Sequence, residues 1–126
     1  MATQTTSHHR DTVRQASVSV EIYHPDTRSV VLSMSGEIDL AAFPRLRELL
    51  KQRMAAAVDT VVLDLSALAF CDSSGVELLC EVDQRAAATG ITLRLVPSRC
   101  VDRVLSLTGY ADRFRTAATV SRALAA

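Results

Sequence analysis

The segment Thr60–Phe70, TVVLDLSALAF, constrains the fold more than any other part of the chain. Its early positions are apolar almost without a break. That suits a central strand covered on both faces, not an alternating strand with one face in water. The run stops at Asp72-Ser73-Ser74-Gly75, and the apolar residues then recur at helical spacing. Val76, Leu79, Val82 and Ala86 share one face of a helix expected from about Ser74 to Ala88, with Gly90 suited to its left-handed C-terminal position. A buried strand feeding directly into an amphipathic helix calls for a parallel neighbour and a right-handed crossover.

The flanking segments supply the neighbours. Ser17–Tyr23, SVSVEIY, alternates with period two and reads as a half-buried strand. Pro25 and Asp26 mark a turn, and Val30–Gly36 forms the second arm of an antiparallel hairpin. The following stretch turns helical, with Leu46, Leu49, Leu50, Met54 and Ala57 on one face; Pro44 is tolerable only in the first turn. ITLRLV is a further strand. Pro97 and Ser98 open a short helix carrying Val101, Val104, Leu105 and Thr108, which Gly109 ends. A last helix is expected over roughly Thr116–Ala125. The expected class is α/β, with the order β-β-α-β-α-β-α-α: a small mixed sheet of about four strands, packed against helices. Residues 1–16 read as a disordered polar tail, and 17–126 as a single domain.

Composition removes several function classes. A chain of 126 residues, 48% hydrophobic and 22% charged, builds a core and is not a disordered segment. Zero formal net charge offers no basic surface to nucleic acid. The N-terminus has no apolar core region of a signal peptide, and no apolar run approaches the ~20 residues of a membrane span. Cys71, Cys80 and Cys100 are odd in number and lack close-paired spacing, so they are expected as reduced thiols in a cytoplasmic protein. Cys71 and Cys80 continue apolar stretches, which favours packing over a redox pair. His8 and His9 have no companion ligands and make no metal site. No cofactor motif is present.

The Asp-Ser-Ser-Gly stretch admits several chemistries. A nucleophile elbow needs G-x-S-x-G, but Cys71 occupies the first glycine position relative to Ser73, and every histidine precedes the serine. A phospho-accepting aspartate at Asp64 would need acidic neighbours for Mg²⁺ and a lysine after the fourth strand; the sole lysine is Lys51, in the first helix. Asp64 therefore reads as a hydrogen-bonding residue at a strand end. No phosphate-cradling G-x-x-x-x-G-K-[ST] is present. Ser74-Gly75-Val76-Glu77 matches the S-x-x-E capping box, worth about 1 kcal/mol. A cap alone leaves Asp72 and Ser73 unexplained, and also a glycine where it costs about 1 kcal/mol relative to alanine. Gly75 reads instead as clearance for something approaching Ser74 closely.

VVLDLSALAFCDSSGVELL resembles the signature segment of anti-sigma factor antagonists, the bacterial STAS-domain proteins. Ser35–Asp39, SGEID, is similar to the G-E-[LI]-D of that family, and VDRVLSLTGYADRF to its late helix and glycine break. The three segments, in order, span roughly residues 17–124; Cys71 is the one visible departure. The resemblance implies a non-enzymatic partner switch in transcription regulation and stress response. The unphosphorylated protein would bind an anti-sigma factor with serine kinase activity and so free a sigma factor. The kinase would phosphorylate Ser74, with Ser73 the lesser candidate, and a phosphoserine phosphatase would reset the switch. Glu37, Asp39, Asp72, Ser73, Ser74 and Gly75 would form the partner-binding edge. An unregulated STAS-like scaffold subunit of a larger assembly is the alternative that the motif leaves open.

Overall fold

The computed structural model describes residues 10–15, 17–55 and 57–125. At its centre lies β4, Thr60–Cys71. Val61, Leu63 and Leu65 of β4 point into one core and Val62 into another, so both faces are covered, as the continuous apolar run requires. Around it the sheet runs in sequence order: β1 Arg10–Gln15, β2 Val18–Asp26, β3 Ser29–Ile38, β4 and β5 Thr92–Val96. The first two pairings are antiparallel and the last two parallel. The sheet is thus mixed, with five strands where about four were expected.

The added strand is β1. The reading of residues 1–16 as a tail fails over Arg10–Gln15, which pair along β2 from Arg10↔Tyr23 to Gln15↔Val18. Val13 is the one apolar side chain that β1 lends to the core. The strand is held mainly by backbone hydrogen bonds to the edge of β2, and these leave little trace in hydropathy. Residues 1–9 and 16, His8 and His9 among them, lie outside the described residues.

Helices α1 (Phe43–Met54), α2 (Ser73–Thr89) and α3 (Arg99–Thr108) cover one face of the sheet. Pro44 sits in the first turn of α1, and Leu46, Leu49, Leu50 and Met54 are buried as the spacing predicts. Ala57 lies beyond the end of α1 and is exposed, contrary to expectation. Val76, Leu79, Val82 and Ala86 of α2 are all buried, joined by Leu78 and Gly75. Arg47 of α1 makes a two-pronged ion pair with Glu81 of α2, both arms 2.8 Å. That guanidinium holds the Glu81 carboxyl below its usual pKa. Gly90 and Gly109 end α2 and α3 in the left-handed conformation, as expected.

The other sheet face is covered in part by α4, Val120–Ala125, through Ala123 against Val31, Val62 and Val96. α4 is shorter than the helix expected from Thr116. Thr116 instead bridges Leu95 in parallel, with Leu95 N–H donating to Arg115 O and Ala117 N–H to Leu95 O, each at 2.9 Å. The outer edge of β5 needs partners for its backbone groups, and this extended stretch supplies them. Phe114 is buried in the main core, whereas Tyr110 is 38% exposed.

Candidate functional site

The parallel pairing of β3 with β4 brings two separated motifs together. Glu37 stands opposite Phe70, and Ile38 opposite Cys71. Asp39 and Asp72 therefore each follow the last paired residues of neighbouring strands. Gly36 makes the approach possible. Its φ is +98°, and a Cβ there would lie 2.3 Å from the Ser17 carbonyl oxygen. Glycine alone lets the chain turn so closely that Glu37 N–H donates to Ser17 O at 3.1 Å. The Ser17 hydroxyl donates to Glu37 O at 3.2 Å and to Asp39 Oδ2 at 3.5 Å. Asp39 Oδ1 accepts from Ala42 N–H at 3.1 Å, which ties the entry to α1. Glu37 is exposed and Asp39 half-buried.

The α2 side differs from expectation in its cap. Asp72, not Ser74, is the N-cap residue, in extended conformation. Its Oδ1 accepts from Ser74 N–H at 2.9 Å and from the Ser74 hydroxyl at 2.5 Å. Ser73 and Ser74 are then the first two helical residues, the former exposed and the latter half-buried. Aspartate and serine both cap well. The strand runs to Cys71, so Asp72 is the first residue free to take the cap.

Gly75 also differs from its sequence reading. It is buried, and a Cβ on it would meet Cys71 Sγ at 2.3 Å and Ile38 Cγ2 at 3.5 Å. The missing side chain makes room for the protein's own core, not for a visitor at Ser74. Gly75 thus stands behind the candidate edge and does not belong to its outer surface. The Cys71 thiol is buried in the same packing, which pushes its pKa up to about 12. All three cysteines are free thiols.

The edge is acidic. Among the described residues, no ion pair engages Glu37, Asp39, Asp72 or Glu77, apart from a longer-range attraction between Glu77 and Arg47. Exposed apolar side chains flank it: Leu40 beside Asp39, Phe70 opposite Glu37, and Tyr110, which shares a notch with Ser73 and Glu77. Leu107 is 75% exposed and lies off the buried stripe of Val101 and Leu105. That misplaced phase was the sequence signal that could have drawn attention to α3. Asp64 lies within β4, not at a strand end. It accepts from Ser33 Oγ at 3.1 Å, from Ser66 Oγ at 2.6 Å and from Ser66 N–H at 3.2 Å. Among the described residues no His/Cys/Asp/Glu group could hold a metal ion, and no helix is long and apolar enough to cross a membrane.

A five-stranded mixed sheet with three helices on one face and a short fourth on the other carries a capped Asp-Ser-Ser-Gly beside Gly-Glu-Ile-Asp. Residues 18–123 match the STAS domain family, and the chain belongs to it. Several of its structural neighbours are anti-sigma factor antagonists. One, from Mycobacterium paratuberculosis, is 27% identical with a TM-score of 0.74, covering 86% of this chain and 92% of that one. The anti-sigma factor antagonist SpoIIAA in its unphosphorylated form is 26% identical with a TM-score of 0.69, covering 83% and 92%. The phosphorylated form of the same Bacillus cell fate determinant gives 25%, 0.66, 84% and 96%. Osmosensory protein A of Mycobacterium tuberculosis is 33% identical over 98 residues. That match covers 78% of this chain but 58% of the relative, so the chain spans less than two thirds of that protein's length.

Proposed function

We propose that this chain is a non-enzymatic anti-sigma factor antagonist switched by phosphorylation of Ser74. Unmodified, it binds an anti-sigma factor with serine kinase activity and so releases a sigma factor. Phosphorylated, it lets go, and a phosphoserine phosphatase restores it. The observation that carries this reading is the Ser74 hydroxyl itself. It stands in the first turn of α2, half-buried and oriented by Asp72, at an edge whose carboxylates lack ion-pair partners. The existence of unphosphorylated and phosphorylated forms of SpoIIAA supports regulation by phosphorylation. The osmosensory relative makes an environmental stress the first upstream signal to examine.

The mechanism follows from charge. A phosphate on Ser74 adds about −1.5 to −2 charges at pH 7. It removes the hydroxyl proton now donated to Asp72 and sets an anion beside that carboxylate. The helix N-terminus offsets part of that repulsion, so the fold persists. The amide of Ser74 is already bonded to Asp72 and that of Gly75 to the Asp72 carbonyl, so the phosphate must compete for them. A docked partner has no room to relax. Within an interface, bulk and like-charge repulsion are worth several kcal/mol.

The test is incubation of the full chain with ATP and each anti-sigma serine kinase of its source organism, followed by peptide mass mapping. Phosphate on Ser74 is expected. Phosphate on Asp64, or no phosphate with any kinase, would overturn the switch. A stable large assembly formed by the chain without a kinase would favour an unregulated scaffold subunit.

A further inference from the structure

The end of α3 stands over the first two turns of α2. Thr108 and Tyr110 close there on Ser73, Val76, Glu77 and Cys80 and leave a notch of about 180 Å³. An apolar cavity of roughly 150 Å³ accepts a benzene-sized group, so this notch has room for one aromatic or branched aliphatic side chain. Val76, Cys80 and the Tyr110 ring give it an apolar lining. Burial is also the main cause that pushes the Cys80 thiol pKa up. Tyr110 leaves 38% of its surface exposed at this notch, although α3 buries Val101 and Leu105.

Charge identifies the occupant. Glu77 lines the notch, Asp72 caps the same helix, and Glu37 and Asp39 end the neighbouring strand. None of the four is in an ion pair among the described residues, and Glu77 feels only a longer-range attraction from Arg47. A segment seated here meets an apolar recess with the Glu77 carboxylate on its lining, next to the edge that carries Asp72, Glu37 and Asp39. We propose that the α2–α3 notch is an anchor pocket for one apolar side chain carried on a basic protein segment. This rests on the reading of the Ser74 edge as a docking surface and adds to it a second, adjacent contact that sets which partner fits. The anchor lies beside the phosphoacceptor and contacts Ser73, so a partner held by it has Ser74 within its reach.

The test uses the isotopically labelled full chain and three synthetic seven-residue peptides. One carries a central leucine among lysines and arginines. The second replaces that leucine with serine, and the third replaces the basic residues with glutamate. Titration followed by amide NMR is expected to shift Val76, Cys80, Thr108 and Tyr110 with the first peptide only. The serine peptide is expected to bind at least tenfold more weakly. The first peptide should also slow alkylation of Cys80. Cys80→Trp, which fills the notch, should abolish the shifts, and Tyr110→Ala, which opens it, should weaken them if the tryptophan variant does not fold. The titration contains neither kinase nor ATP, so its outcome is independent of whether a kinase modifies Ser74. Equal binding of the three peptides, or shifts confined to other residues, would overturn the proposal. Dilution-dependent shifts of the notch residues without peptide would assign it to a second copy and overturn it as well.

Discussion

Asp72 Oδ1 accepts two hydrogen bonds from Ser74, one from its amide at 2.9 Å and one from its hydroxyl at 2.5 Å. One carboxylate oxygen thus both starts α2 and fixes the rotamer of the candidate phosphoacceptor. The helix cap and the orientation of the candidate phosphoacceptor depend on a single atom.

Asp72→Ala removes the cap and is expected to cost about 0.5–2 kcal/mol. Asp72→Asn keeps an acceptor and should cost less. Urea unfolding of both variants checks this. An alanine variant as stable as the parent would show that another residue caps α2.

Ser74→Asp places a permanent charge where the phosphate would sit. If ~4 kcal/mol of interface energy is lost, affinity for the cognate kinase falls ~10³-fold. Ser74→Ala should retain affinity within a few-fold. Calorimetric titration of the two variants decides; equal affinities would refute the electrostatic account.

Gly75→Ala sets a Cβ 2.3 Å from Cys71 Sγ and should destabilise by about 1–3 kcal/mol. In a Cys71→Ala background the obstruction is gone, and alanine is the better helix former. There the same substitution should be neutral or stabilising, a coupling that a double-mutant cycle measures. Gly36→Ala meets the Ser17 backbone oxygen at a positive φ, so it should destabilise by about 1–3 kcal/mol. No side-chain truncation should rescue it.

Burial raises the Cys71 pKa to about 12. A thiol raised on folding contributes its full stability below the unfolded value of about 8.5, and loses it as pH climbs through the folded value. Unfolding free energy should therefore fall between pH 8.5 and 12 more steeply for the parent than for Cys71→Ala, by up to about 1.4 kcal/mol per pH unit. At pH 8 iodoacetamide should label Cys71 last. Prompt labelling of Cys71 in the folded protein would contradict its burial.

The sequence by itself determined the elements whose signals are local. The apolar run of β4 demanded cover on two faces, the 3.6-residue period of Val76, Leu79, Val82 and Ala86 fixed the inner face of α2, and Gly90 and Gly109 set two helix ends. The resemblance singled out Ser74 as the expected phosphoacceptor without geometry. Tertiary structure decided what depends on residues distant in the chain. β1 exists because β2 offers it an edge, and Thr116 extends because β5 does. Gly75 serves Cys71 and Ile38, which no spacing rule reveals, and the parallel register alone places Glu37 and Asp39 beside Asp72. Hydropathy records what each residue avoids, water or its absence. It does not record which backbone groups or neighbours meet it there, and pairing and clearance are settled only by those meetings.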